Sequence, residues 1–586
     1  MAGAQIRGGE RIARMLKAEG VEVVFGIIDG SYFGLYSSLG AQGIRLVTPR
    51  HETSAVHMAG AYARLTGKLG VCIASNGPGA ANALAGVAVE NGEGNRVLLI
   101  TSWRRTPIVG PDRGGTYQYF DQVNVMRPMA KWSGAAHSYD RIPEVMRRAM
   151  RVSWHGRPGV VHVCVPEDLV NGSFEEPAQP DPTPARYREQ HRMAPDPERV
   201  REAADRLVAS EAVLIHAGGG VLHAQACSEL RQVAELLRAP VTTSWGARDV
   251  IDERSEVAIP MTAVETVTRA RNEADLVLAV GTRFGETDFW AKPPYWRSPG
   301  EQQLIQVDID EELLGLNKPV DVAVLADAKR FLAALAVELG KRDLATGQAA
   351  REARLAKYRE SWLATRAQLD EARKAGGSPL HSSHVAPICQ ELFDDDAVLV
   401  VDGGNTAIWA NFYHEVRAPH SLLSTFKFGM LGAGVAQTLG AKVACPERQV
   451  HCIIGDGAMG FHPQEIETAV RNELAVIFMV LCDRQWGMVK VNQEFAIDPE
   501  RTLREGGLPA EQNINTDLGE IRFDLLAESM GAHGERASSP EELRAALERS
   551  LASGRCCVIH VDVDRKAHKF APNLAVFKAM HDEPAG

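Results

Sequence analysis

IIGDGAMGFHPQEIETAVRNELAVIFMVLCDRQWGM, residues 453–488, decides how the rest of the chain is read. One apolar run ends in Gly455-Asp456-Gly457, and a second, Val476 to Leu481, ends on Asp483. The stretch between them, FHPQEIETAVRNEL, has helical spacing. The pattern predicts strand, acidic turn, helix, strand and acidic turn, with the two carboxylates 27 positions apart. Neighbouring parallel strands joined by a right-handed crossover bring both turns to one sheet edge. Hard oxygen ligands beside a helix N-terminus suit Mg²⁺ and a diphosphate together. Asp456 is the expected metal ligand. Gly455 and Gly457 let the backbone come close, and the amides of Ala458 and Met459 are expected to meet phosphate oxygens.

Working outward, short β-branched runs alternate with helical patterns along all 586 residues. The clearest runs are 22–28, 69–75, 96–102, 160–166, 212–218, 275–281, 304–310, 397–403, 450–456, 476–482 and 556–562. This rhythm predicts an α/β protein of doubly wound parallel sheets with both faces covered. A chain of this length exceeds one core. Two stretches break the rhythm: Pro- and charge-rich Glu175 to Glu198, and strongly charged Lys341 to Pro379, expected to be largely helical. They divide the chain into three α/β domains, 1–175, 196–340 and 378–586. The net charge of −11 argues against nucleic acid as partner, and no stretch approaches a membrane span. The N-terminal MAGAQIRGGERIARMLKAEG reads as an amphipathic helix without a signal-peptide core, and nine scattered cysteines without a CxxC point to a reducing cytoplasm.

Three further constellations lie at strand ends. Glu52, in RHETSAVHMAGAYARLTG, opens a helix after LVTPR. An acid there suits the helix dipole, and a carboxyl group in apolar surroundings can also share or donate a proton. SNGPGAANALAG (75–86) makes a rigid turn before a small-residue helix. In FKFGMLGAGVAQTLGAK (426–442), Gly429, Gly432 and Gly434 leave Met430 and Leu431 projecting from a loop.

Together these residues resemble thiamine diphosphate (ThDP) enzymes of the acetolactate synthase and pyruvate decarboxylase superfamily. The resemblance covers essentially the whole chain, in the order pyrimidine-binding, middle and diphosphate-binding domain, and GRPGVVHVCVPED (156–168) adds a further matching segment. It implies that Glu52 hydrogen-bonds N1′ of the aminopyrimidine. It implies that Gly429 offers its carbonyl to the 4′-amino group, and that Leu431 is the wedge that bends the cofactor. Asp456, Asp483 and the backbone carbonyl of Gln485 would bind Mg²⁺. Gly404, Asn405 and Thr406 would lie near the diphosphate, and Met488, closing the metal motif, is counted with the cofactor-binding residues. Because the two ThDP-binding domains of this family meet across subunits, the resemblance implies a homodimer or homotetramer.

The chain also departs from the family pattern. Cys482-Asp483 replaces the usual Asn-Asn, and Ile28-Asp29-Gly30 replaces a Pro-Gly-Gly turn, making Asp29 a candidate extra acid. Tyr117-Gln118-Tyr119 keeps the glutamine of the acetolactate synthase FQE loop and loses its acid. The substrate-selecting Trp of those enzymes falls at Asn492, and the benzoylformate decarboxylase histidine at Ser75. The expected activity is decarboxylation of a 2-oxo acid, pyruvate first among candidates, with transfer of the acyl unit to an acceptor carbonyl. A decarboxylase releasing aldehyde and an FAD-containing oxidoreductase of the same superfamily stand as alternatives. HAGGGVLHA (216–224) is a dinucleotide-type turn, but the MHGT-like FAD segment is missing, so FAD stays open at this point.

Overall fold

The computed structural model describes residues 4–110, 112, 114–374, 377–425 and 427–584. Three parallel sheets form its core. The first runs Arg45–Val47, Val23–Gly26, Gly70–Ala74, Val97–Trp103, Val160–Pro166, Trp132–Ala135. The second runs Val241–Thr243, Val213–Ala217, Leu276–Val280, Gln303–Asp308, Val322–Leu325. The third runs Leu422–Ser424, Val398–Asp402, Val450–Gly455, Ile477–Cys482, Cys557–Asp562, His533–Ala537. Every residue of Val450–Gly455 and Ile477–Cys482 is buried, as helices on both sheet faces require.

The eleven apolar runs all form strands. The six edge strands, Arg45–Val47, Trp132–Ala135, Val241–Thr243, Val322–Leu325, Leu422–Ser424 and His533–Ala537, were not among them, because edge strands are short and several carry mixed or polar residues such as HGERA. One pair departs from the parallel rule: Gln5–Arg7 runs antiparallel to Ser173–Glu175. Among the described residues, the amphipathic N-terminal stretch is helical over Gly8–Ala18, after the strand Gln5–Arg7. The helix expected between the two acidic turns is likewise shorter, Asp456–Met459 followed by Glu465–Arg471. The Pro-rich segment hugs the first sheet's layer, with Asp181 accepting from Arg11 at 2.7 and 2.8 Å and Arg188 paired with Glu19 at 2.8 Å. Lys341 to Pro379 is dominated by the helix Gln348–Glu371, which buries Leu355, Tyr358 and Trp362.

The first and third layers meet through the helices Glu52–Thr66 and Ala433–Ala444. They approach so closely that a methyl group on Gly440 would lie 2.4 Å from the Met58 carbonyl oxygen. Small residues on both helices make this contact feasible, at the cost of tolerance to larger ones.

Candidate active site

Strands Val398–Asp402, Val450–Gly455 and Ile477–Cys482 lie side by side, with Asp402 opposite Ile454 and Ile454 opposite Val480. Their C-terminal ends therefore turn at one edge, the usual ligand-binding edge of a doubly wound sheet. Asp456 joins two of these turns: Oδ1 accepts from the Gly457 amide and Oδ2 from the Arg484 amide, both at 2.8 Å. Asp483 Oδ2 accepts from Gln485 Nε2 at 3.0 Å, and the same amide donates to the Arg565 carbonyl. The Gln485 side chain is thus engaged at its amide nitrogen.

Both carboxylates are buried, Asp456 at 9 % and Asp483 at 3 % exposure. Among the described residues neither forms an ion pair. Burial, and then the charge of Asp483, holds Asp456 well above the ordinary carboxylate range, and burial raises Asp483 as well. Beside them Asn405 Nδ2 donates to the Lys569 carbonyl, while Asn405 Oδ1 is buried without a partner. A methyl group on Gly487 would sit 2.9 Å from Asn405 Nδ2 and 3.0 Å from Asp483 Oδ2. Two buried carboxylates without an ion-pair partner, an orphaned amide oxygen and a glycine-only approach fit a divalent cation that carries a diphosphate. Thr406 Oγ1 is 3.2 Å from His568 Nε2, and a methyl group on Gly455 would lie 3.0 Å from that hydroxyl. Ala458 and Met459 form the first turn of their short helix with buried side chains.

Next to this corner opens a cavity of 320 Å³ whose lining includes Gly404, Gly429, Leu431, Met488 and Asn492. Gly429 has φ +69°, a left-handed conformation that suits glycine. Sequence reasoning passed over Asp402, which also lines the cavity. It accepts from the Gly434 amide at 2.8 Å, and burial pushes its carboxyl up to about 6. Its signal was present, an acid at the end of a strand before a double glycine. Glu286 and Thr287 of the middle layer and the segment from Leu574 to His581 line the cavity too, and no motif announced them.

Glu52, Asp29 and Gln118 gather instead at the C-terminal edge of the first sheet. Glu52 opens its helix as expected and accepts from Asn82 Nδ2 at 3.0 Å. A methyl group on Gly79 would lie 3.3 Å from its Oε1. Asp29 caps a turn, accepting from the Ser31 amide at 2.8 Å. The nearby Tyr32 hydroxyl is raised by burial and then by the charges of Asp29 and Glu52. Gln118 has φ +52°, and its carbonyl accepts from Asn76 Nδ2 at 3.0 Å. None of the three lines the 320 Å³ cavity, so one chain presents two half-sites on different sheets.

The glycine-rich turn of the middle layer is of another kind. The Gly218 amide donates to the Val280 carbonyl and the Gly220 amide to the Gly281 carbonyl, at 2.9 and 3.0 Å. A methyl group on Gly220 would lie 2.6 Å from Gly281 Cα. These glycines pack the two turns closely against each other.

Residues 6–125 match the thiamine pyrophosphate enzyme N-terminal TPP binding domain, 200–335 the central domain, and 402–561 the C-terminal TPP binding domain. A probable acetolactate synthase large subunit of Methanocaldococcus jannaschii is 28 % identical over 95 % of this chain and 92 % of its own. A probable 2-ketoarginine decarboxylase of Pseudomonas aeruginosa is 34 % identical over 79 % of each chain. A sulfoacetaldehyde acetyltransferase of Alcaligenes xylosoxydans is 30 % identical over 94 % of this chain and 92 % of its own. With all three domains matched in order and its two half-sites on the two TPP-binding layers, the chain belongs to the thiamine pyrophosphate enzyme family.

Proposed function

We propose that this enzyme decarboxylates a 2-oxo acid, pyruvate first among candidates, and transfers the remaining acyl unit to an acceptor carbonyl. The observation that carries the reading is the pair of buried carboxylates, neither in an ion pair among the described residues, at adjacent strand ends beside the cavity lined by Gly429 and Leu431. Asp456, Asp483 and the Gln485 carbonyl would hold Mg²⁺. Gly404, Asn405 and Thr406, with the amides of Ala458 and Met459, would seat the diphosphate, and Gly455, Gly457 and Met488 would keep the backbone close to it. Bound ThDP supplies the electron sink that lets CO₂ leave and the acyl carbon act as a nucleophile. Glu52 would hold the proton shared with N1′ of the aminopyrimidine, Gly429 would accept from the 4′-amino group, and Leu431 would prop the two rings together.

The separation of the half-sites supports a homodimer or homotetramer in which the Glu52 edge of one subunit faces the metal edge of another. Three sheets, one within each of 1–175, 196–340 and 378–586, support that domain division. The nine unpaired cysteines suit a cytoplasmic enzyme, and no helix among the described residues is long and apolar enough to cross a membrane. A second reading, aldehyde release, is favoured by the 34 % identity to the probable 2-ketoarginine decarboxylase. Screening 2-oxo acids for CO₂ release, with and without aldehyde or oxo-acid acceptors, separates them. Ligated product is expected, free aldehyde as the sole product would select the second reading, and no CO₂ from any acid would remove both.

A further inference from the structure

Few side chains of the 320 Å³ cavity are placed to move a proton. The titratable groups in its lining are Glu286, Asp402, Lys427, Lys578 and His581. Asp402 is held by the Gly434 amide at 2.8 Å. Lys427 Nζ donates to the Gly92 carbonyl, and Lys578 Nζ lies 4.5 Å from the centroid of the Phe495 ring, so both ammonium groups are turned to residues outside the lining. A pair remains. His581 Nδ1 lies 2.8 Å from Glu286 Oε1, and both residues line the cavity.

The two come from distant parts of the chain and are brought together by packing. Phe577, in the helix Leu574–Ala579, lies against Trp245 and Phe412 with ring centroids 5.1 and 6.1 Å apart. The His581 amide donates to the Lys578 carbonyl at 3.1 Å, and Glu583 pairs with Lys292. A carboxylate only accepts, so Nδ1 donates to Glu286 and Nε2 is the nitrogen left for a reactant. Among the described residues Nε2 makes no hydrogen bond. Both side chains stand at an open rim, His581 at 77 % and Glu286 at 48 % exposure, so the imidazole exchanges protons with water between turnovers. An imidazole oriented through one nitrogen by a carboxylate, with the other nitrogen free, is suited to general acid–base work.

Forming a C–C bond at an acceptor carbonyl moves the C=O π pair onto oxygen, which then takes a proton. We propose that His581 is a catalytic residue whose Nε2 gives that proton to the acceptor oxygen, and that Glu286 is the residue that positions it. The proton balance closes within one turnover. The acceptor oxygen takes one proton as the new bond forms, and the donor carbon's hydroxyl returns one to Nε2 when its carbonyl is restored at product release. No further reactant is required. The proposal rests on the carboligase reading above.

The test separates CO₂ release from ligation. Substoichiometric pyruvate given to the holoenzyme without acceptor reads the first, and excess pyruvate with propanal reads the second. His581→Gln keeps a donor toward Glu286 but carries no titrating proton. It should lower kcat for ligation by about 100-fold or more, with KM for propanal, the CO₂ burst and calorimetric ThDP affinity each within about threefold. Glu286→Gln should lower ligation by about tenfold, and should cost nothing further in the His581→Gln background, because it acts through the imidazole. Ligation by His581→Ala should rise at least about tenfold on adding imidazole, which keeps the proposal open to refutation if the glutamine variant folds poorly. Unchanged ligation in His581→Gln, equal losses in CO₂ release and ligation, or a His581→Ala defect that imidazole does not relieve would overturn the assignment. No CO₂ from the unaltered enzyme, or CO₂ without ligated product, would instead remove the carboligase reading, and the proposal with it.

Discussion

The first and third sheets repeat one strand order. In each, the second strand of the chain lies at one edge, followed by the first, third, fourth, sixth and fifth. The same topology has been given opposite chemistry at its C-terminal edge. In the first sheet the turn after the third strand is closed by its own surroundings. The Asn76 amide donates to Ser102 Oγ and the Gly77 amide to Gln122 Oε1, both at 2.8 Å, and Glu52 is held by Asn82. In the third sheet the equivalent turn carries Asp456, facing Asp483 across the next strand end, and among the described residues neither carboxylate has an ion-pair partner. Topology decides where a ligand can bind, and the residues left unsatisfied decide what binds there. The first edge is built to position one carboxyl group, the third to wait for charge.

If that contrast is right, removing one acid from each edge gives different failures. The largest effect belongs to Asp456→Ala. Mg²⁺ requires near-octahedral oxygen donors, so Mg²⁺-dependent ThDP binding should fall by about 100-fold or more in calorimetry. Undiminished affinity would place the metal elsewhere and dissolve the contrast. Glu52→Gln should sharpen it. The amide keeps a hydrogen bond but cannot share the proton, so ThDP affinity should stay within about threefold while C2–H exchange slows by about two or more orders of magnitude. Unchanged exchange by NMR would strip Glu52 of its role.

How far each edge could be read beforehand follows from the same physics. Strands buried on both faces need unbroken β-branched runs, so VHCIIGD and VIFMVLC declared themselves, and so did the acids that ended them. Asp402 carried that same signature and was passed over, because its neighbours Gly403 and Gly404 drew the reading toward phosphate. Edge strands such as His533–Ala537 escaped because they need no apolar run. The cavity-lining segment from Leu574 to His581 was illegible for a different reason. It contributes by long-range packing of Phe577 on Trp245 and by the Glu286–His581 bond, and neither leaves a local pattern in sequence. The middle-layer glycines are ambiguous in sequence, since a turn that packs on its neighbour and a turn that opens to a ligand are written with the same residue.

The smallest effect tests whether the contrast reaches down into the sheets themselves. Each carries a buried histidine, His162 in Val160–Pro166 and His451 in Val450–Gly455, and burial pushes both imidazoles down to about 3. His162 is satisfied at both nitrogens, 2.8 Å from Thr101 Oγ1 and 2.8 Å from Ser133 Oγ. His451 stacks on Phe393 with centroids 4.0 Å apart, and its Nδ1 has no partner. A histidine whose folded pKa is depressed is neutral in the folded state. The unfolded chain takes up a proton as pH falls below about 6.5, so stability is lost from there toward about 3. Between pH 7 and pH 5 one such group costs about 2 kcal/mol. His451→Phe should recover about that much of the acid loss, read as a smaller fall in apoenzyme Tm between the two pH values, with little change at pH 7 because one aromatic ring replaces another against Phe393. His162→Phe should recover the same proton-linked term yet lower Tm at pH 7, because Thr101 and Ser133 lose their shared partner. Equal behaviour of the two variants at pH 7 would show that the closed and open edges do not extend into how each sheet satisfies its interior.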